Sequence, residues 1–256
     1  MYSWQGKNVN NISVLIITRN EEDNIRQCLD TVSWASEIIV VDSHSSDSTV
    51  RICREYTDKV FDNKFIDFSA QKNYALSKSS NDWVLFVDAD ERITSELKEE
   101  ISALNSKNFN GYYIPRKNII FGRYMKYGGH QNDLQLRLFI KSRSHFKNPV
   151  HEKVVVEGSM GYLNNYIEHY STESLSEYCK KMNSYTDMEA KRMSGEKIRF
   201  SVFRMMMKTV GKFLYQYIIQ EGFRDGKEGL IYYSLSSFYV FLKHIKLWEI
   251  CQKQSA

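Results

Sequence analysis

Proline, clustered cysteine and long apolar runs are all scarce in this 256-residue chain, and each scarcity excludes something. The two prolines, Pro115 and Pro149, stand apart, and no low-complexity tract or internal repeat accompanies them. Four cysteines (Cys28, Cys53, Cys179 and Cys251) form neither C-x-x-C nor any zinc-like spacing, which points to a reducing, cytoplasmic compartment. The longest nearly uncharged apolar stretch, Leu230 to Leu242, is 13 residues with three serines. A bilayer span needs ~20, so an integral membrane protein is not expected. The N-terminus has no charged segment leading into an apolar one, so no secretory signal is expected. Neither G-x-G-x-x-G nor a P-loop follows the first apolar run, which disfavours dinucleotide oxidoreductases and P-loop NTPases.

Core-forming residues are plentiful. Hydrophobic residues make up 42% of the chain and aromatic ones 14%, including 17 Tyr and 14 Phe. That suits one α/β domain with an appendage, or two small domains. The net charge of +4 hides an asymmetry. Residues 1–111 carry 12 Lys and Arg against 18 Asp and Glu, residues 112–170 carry 9 against 4, and residues 171–256 carry 14 against 9. An acidic first half can hold a metal, and a basic second half can face phosphates or an anionic surface; ordinary solvated faces would give the same tally.

The first 105 residues alternate between strand and helix patterns. Ile12–Thr18, Glu37–Asp42 and Trp83–Val87 are β-branched, apolar runs of the kind that parallel strands buried on both faces display. Lys59–Phe61 is a briefer strand. Helices are expected over Asn24–Ser33, from an Asp47 N-cap to about Tyr56, and over Asp67–Lys78. The alternation predicts a doubly wound sheet. After Gly111 the periodicity changes. Gly111–Ile114, Leu134–Ile140 and Val154–Val156 read as antiparallel or mixed additions to the sheet, with a mobile loop around Phe121–Arg123 and Gly128–Gly129. Strict alternation in Leu134–Ile140 sets Leu136 and Leu138 on one face and Arg137 on the other. From about Thr172 the chain reads as helical, with a last helix from about Leu230 to Trp248.

In a parallel α/β sheet ligands sit beyond the C-terminal strand ends. Those ends carry Thr18-Arg19-Asn20-Glu21-Glu22, then Asp42-Ser43-His44-Ser45-Ser46-Asp47, then Asp88-Ala89-Asp90-Glu91. Asp88 and Asp90, one residue apart at the exit of an apolar strand, can present oxygen to Mg²⁺ or Mn²⁺. Such a cation can clamp a diphosphate leaving group.

These segments, with Gln71-Lys72-Asn73-Tyr74-Ala75-Leu76, Gln135-Leu136-Arg137-Leu138-Phe139 and Val150-His151-Glu152, resemble family 2 glycosyltransferases of the GT-A fold. The similarity is to the bacterial subgroup that builds lipopolysaccharide core and other envelope glycans, and Gly222–Leu230 extends it towards the C-terminus. The resemblance implies a nucleotide pocket lined by Thr18, Arg19, Asn20 and Glu22, with Asp42 accepting from a uracil N–H. It implies Lys72 and Asn73 near ribose and diphosphate, Asp88 towards the sugar-ribose, and Asp90 on the metal. His44 departs from the subgroup, where glycine is usual. For an inverting transfer a base must take the acceptor proton. Glu152 is the candidate and Asp133 the competitor. His151 is a residue to orient the base or touch phosphate, and Arg137 one to pair with phosphate or Glu152, unless it is a surface cation.

Between Lys191 and Lys212 seven basic residues stand against one acidic, Glu196, interleaved with Phe200, Phe203, Met205–Met207 and Phe213. That composition reads as a membrane-surface helix, or as a helix packing its stripe on its own domain. The expectation is a GT-A α/β domain over 1–170 with a doubly wound mixed sheet, and a helical C-terminal region over 171–256 for acceptor or membrane docking. The enzyme would move a sugar from a UDP-sugar to a lipid-linked or envelope saccharide, in the cytoplasm or peripherally on the inner face of the cytoplasmic membrane. Nucleic acid is not an expected partner. The rivals are a non-catalytic sugar-nucleotide-binding scaffold and a sugar-phosphate nucleotidyltransferase; the latter would show a Gly-rich basic loop where Arg19–Glu22 stands.

Overall fold

The computed structural model describes residues 11–105, 108–131, 133–147, 153–172 and 174–255. The chain divides into two compact units: Met1–Arg116 with Asp133–His169, and Lys117–Asn132 with Tyr170–Ala256.

In the first unit the apolar runs become β1 (Ile12–Thr18), β2 (Glu37–Asp42) and β4 (Trp83–Phe86), with β3 (Val60–Asp62) beside β2. All four are parallel, and the sheet runs β3-β2-β1-β4 before turning mixed. Antiparallel β8 (Leu134–Ile140) pairs β4, then β6 (Gly111–Ile120) pairs β8, and β12 (Ile167–Thr172) and β5 (Glu91–Ile93) complete the order. Parallel β11 (Met160–Tyr162) lies along the start of β6. The doubly wound mixed sheet is therefore present. β10 (Lys153–Val156) is not one of its additions: it pairs β9 (Ser144–Lys147) in a separate two-stranded sheet.

Helices cover both faces, which is why the central strands tolerate no polar alternation. Val14 and Ile16 of β1 pack with α1 (Ile25–Val32), α2 (Thr49–Cys53) and α4 (Ser95–Ser102), whereas Leu15 packs with α3 (Phe68–Lys78). Asp67 caps α3 through the Ala70 N–H. The expected Asp47 cap is displaced by one residue: Ser48 holds the N-cap position of α2, and Asp47 accepts from the Thr49 N–H. The helix also stops at Cys53 rather than near Tyr56.

The second unit contains the short β7 (Arg123–Tyr124), which folds back on Ile119–Ile120 of β6 through Phe121 and Gly122. Both turn residues are left-handed, with φ of 51° and 74°, so the expected loop is a tight hairpin there. Its helices are α5 (Leu175–Gly195), α6 (Val202–Leu214), continued by a π turn over Tyr215–Ile219, and α7 (Gly226–Ser255). Among the described residues no helix is long and apolar enough to cross a membrane.

Candidate active site

Two sites lie at the C-terminal ends of the parallel strands. The first is built where β1 and β2 end in register, Thr18 opposite Asp42. Asp42 is only 3% exposed, and its carboxylate accepts from the Ser45 N–H (2.8 Å) and the Ser45 hydroxyl. The loops that follow are stitched together. The Asn20 amide oxygen accepts from the Ser46 N–H at 2.8 Å, and Glu22 accepts from the Ser48 N–H at 2.9 Å. The Glu22 N–H in turn donates to Asp47. Burial would raise the Asp47 carboxyl, but the hydroxyl and N–H of Thr49 hold it below the usual carboxylate range. Asn20 and His44 have φ of 54° and 56°, the left-handed region that asparagine and histidine enter more readily than most side chains. Arg19 is exposed, and the buried Thr18 hydroxyl has no hydrogen-bond partner among the described residues. A 410 Å³ cavity opens here, lined by Asp42, His44, Ser45, Val50, Arg54 and Asp62 among others.

The second site is at the exit of β4. Asp88 and Glu91 close a turn on each other: the Asp88 N–H donates to the Glu91 carboxylate (3.0 Å), and the Glu91 N–H to the Asp88 carbonyl (2.9 Å). Arg137 enters from β8. Against β6, Tyr112 faces Leu138 but Tyr113 faces Leu136, so Arg137 is the extra residue of a β-bulge. A bulge re-aims its side chain and breaks the alternation. Leu138 therefore packs in one core and Leu136 against the other, rather than on one face as strict alternation required. Arg137 is no surface cation either. It is 6% exposed, and its Nη2 donates to Glu91 (2.6 Å) and to Asp88. Arg116 lies 3.4 Å from Glu91, and Lys72 3.9 Å from Asp88.

These charges pull the two carboxyls apart. Burial would raise Asp88, but Arg137 and Lys72 outweigh it and hold Asp88 well below the ordinary range. Glu91, wholly buried, is pushed up by desolvation, with Arg137 only opposing. Above them a 520 Å³ cleft is lined by Lys72, Asp88, Arg116, Arg137, Phe146 and Lys153 among others. Among the described lining residues four cations stand against one carboxylate; Arg116 and Arg137 are already paired with Asp133, Glu91 and Asp88, and the remaining positive charge suits an anionic ligand. Among the described residues the buried Arg137 Nε has no hydrogen-bond partner, which leaves it as a further donor for such a ligand.

Asp90 stands apart from this pair. Its Oδ2 is 3.2 Å from Nε2 of His169, which lies on β12 opposite Glu91. Among the described residues no group of three or more His, Cys, Asp or Glu stands ready around a metal. Asp90 and His169 offer an oxygen and a nitrogen, a pair that fits a cation taking its remaining ligands from phosphate and water.

Asn73 is turned elsewhere. Its amide brackets the backbone of Phe146, donating to the carbonyl (3.0 Å) and accepting from the N–H (2.9 Å). Asp133 is engaged by the Arg116 Nε (2.8 Å) and the Gln135 amide (2.5 Å). His151 and Glu152 lie outside the described residues. Thus Thr18, Asn20, Glu22 and Asp42 gather at the first site, and Lys72, Asp88 and Arg137 at the second. Sequence reasoning missed the burial of Glu91 and the roles of Arg116 and His169. Glu91 follows the D-x-D directly and Arg116 follows a proline in a strand, but His169 carries no local signal.

This strand order, with carboxylates at the exits of β2 and β4, is the GT-A fold. The chain belongs to glycosyl transferase family 2, whose profile matches residues 13–171. A glycosyltransferase of Rickettsia typhi is 31% identical over 94% of this chain and 88% of its own length. The lipopolysaccharide core biosynthesis glycosyltransferase LpsC of Rhizobium meliloti is 27% identical over 93% of this chain and 92% of its own. Among solved structures, S. aureus TarS 1–349 aligns over 95% of this chain and 92% of its own, at 14% identity and a TM-score of 0.47.

Proposed function

We propose that this glycosyltransferase moves a hexose from a UDP-sugar, with inversion, to a hydroxyl of a lipid-linked or envelope saccharide such as lipopolysaccharide core. The observation that carries the reading is the pairing of a buried, cavity-facing Asp42 with a cationic cleft beside Asp88 at the same sheet edge. The similarity to LpsC favours the acceptor class.

In this reading Asp42 accepts the uracil N–H, and Thr18, Arg19, Asn20 and Glu22 shape the base pocket around it. Lys72, Arg137 and Arg116 face the diphosphate, and Asp88 steadies the donor from the opposite sign. Asn73 acts by fixing Phe146 at the cleft wall. Asp90 and His169 would hold Mg²⁺ or Mn²⁺, which when bound supplies positive charge for the departing diphosphate. Glu152 is assigned as the base and His151 as its orienting neighbour; Asp133, already in an ion pair with Arg116, is the weaker competitor. The acceptor oxygen attacks the anomeric carbon from the side opposite the diphosphate. Its proton passes to Glu152 as the C–O bond to UDP breaks.

The test is thermal unfolding with UDP, GDP, CDP and ADP, each with and without Mn²⁺. Stabilisation follows RT ln(1 + [L]/Kd), about 2.7 kcal/mol at a hundredfold excess over Kd. UDP with Mn²⁺ should stabilise most. Equal stabilisation by a purine nucleotide would refute the donor assignment.

A further inference from the structure

A helix on the surface of a protein in water turns its apolar stripe inward. The second unit contains one that does the reverse. α6 packs on α7 through Met205, Thr209, the half-buried Lys212 and, one turn on, Gln216. That contact is fastened by polar bonds: Ser237 donates to the Thr209 carbonyl at 2.7 Å, and Ser236 to the Gln216 amide oxygen at 2.8 Å. The opposite face carries Phe203, Met206, Met207, Val210 and Leu214, spaced as one helical stripe. All five are exposed, Phe203 by 75% and Met207 by 58%. Ile218 and Ile219, in the π turn that prolongs the helix, are exposed as well. Isolated exposed apolar residues are ordinary, but a contiguous stripe of this length marks a binding surface.

We propose that α6 is a membrane-surface helix, laying its outward stripe into the boundary between headgroups and acyl chains of an anionic bilayer. Charge selects this occupant. From Lys197 to Gln220 the chain has five cations, Lys197, Arg199, Arg204, Lys208 and Lys212, and no Asp or Glu. The first four are exposed, Arg204 and Lys208 on α6 itself and Lys197 and Arg199 in the segment leading into it. A second copy of the same face would bring the same charge and be repelled, whereas phosphate headgroups are complementary to it. The side chains are also of the kind interfacial helices use, with Phe, Met and Leu on one face and Lys and Arg at its flank. Such a helix lies in the interface plane and needs no spanning length, in keeping with the absence of a membrane-crossing helix among the described residues. This surface is argued independently of the donor site.

Flotation of the full chain with phosphatidylcholine vesicles, and with equimolar phosphatidylcholine and phosphatidylglycerol vesicles, is the test. Wild type should float with the mixed vesicles and detach as salt is raised. Arg204→Ala with Lys208→Ala should weaken partitioning about thirtyfold, equivalent to ~1 kcal/mol for each cation near the surface. Phe203→Ser with Met207→Ser should weaken it roughly a hundredfold. The four side chains are exposed, so unchanged melting temperatures will show that the variants remain folded. No flotation of wild type with the anionic vesicles would overturn the proposal. So would a wild-type dimer in sedimentation velocity that Phe203→Ser with Met207→Ser converts to monomer, since a second copy would then cover the face.

Discussion

Replacing Arg137 by Met keeps most of its volume and removes the charge shared by Asp88 and Glu91. Glu91 has no exposure to water, so an unpaired carboxylate there is costly, and breaking a buried pair typically removes 3–5 kcal/mol. The lower end applies. The Asp88 side chain is 32% exposed, and Arg116 and Lys72 remain at 3.4 and 3.9 Å. A loss of about 3 kcal/mol lowers the melting temperature of a chain of this size by roughly 6–12 °C. The pH dependence has a definite sign. Without Arg137 the folded state favours protonated Glu91 still more. Its folded pKa then lies further above its unfolded value, and stability is lost as pH rises through the folded pKa. In wild type Asp88 lies below its unfolded value, so its contribution is present above that value and fades on acidification. Both effects make the gap between wild type and Arg137→Met widen as pH rises above the ordinary carboxylate range and narrow as pH falls below about 4. Adding Glu91→Gln to Arg137→Met should recover stability, because a neutral amide can still accept the Asp88 N–H. Thermal unfolding across pH measures all of this. A deficit under about 1 kcal/mol that ignores pH, or a double variant no more stable than the single, would refute the reasoning.

Asn73→Ala removes both bonds to the Phe146 backbone and should cost about 1–3 kcal/mol, read from urea midpoints, with any loss of activity following the loosened cleft wall. Glu37 is buried, which would raise it, but Lys59, Ser13 and Ser80 bring it down to about 2. Its stabilisation, about 3 kcal/mol at most, is present above the unfolded value near 4.3 and lost as pH falls towards 2. The gap between wild type and Glu37→Gln should therefore close over that acid range in melting curves. Asp42→Ala should weaken UDP binding at least about tenfold by calorimetry and, because it also removes both bonds from Ser45, cost about 1–3 kcal/mol of stability in the absence of nucleotide.

The first half of the fold was legible because strands buried on both faces must be continuously apolar. Ile12–Thr18 and Glu37–Asp42 begin and end where their composition does, and the polar residues that follow mark the ligand edge. β5 and α4 were not read. β5 has three residues, too few for periodicity, and its buried Glu and Arg are satisfied by groups from elsewhere in the fold, Arg137 and Arg116 for Glu91 and nearby carbonyls for Arg92. α4 did carry a signal, with Thr94 as cap and Leu97 and Ile101 one turn apart. The bulge at Arg137 lay beyond local pattern, because a bulge is set by the register with β6 and not by the strand's own residues. His169 was illegible for the same reason: 79 residues separate it from Asp90, and only the pairing of β12 with β5 joins them. α6 reverses the usual inference outright. Its stripe was readable as a helix face, but the side it presents is decided by Thr209, Lys212 and Gln216 packing on α7.

Calorimetric titration of UDP into wild type and Asp90→Asn, each with and without Mn²⁺, tests the strand-end donor site most directly. Mn²⁺ should tighten UDP binding to wild type by at least about tenfold, ~1.4 kcal/mol, and leave Asp90→Asn unaffected. UDP affinity that is the same for both proteins, with and without Mn²⁺, would contradict this.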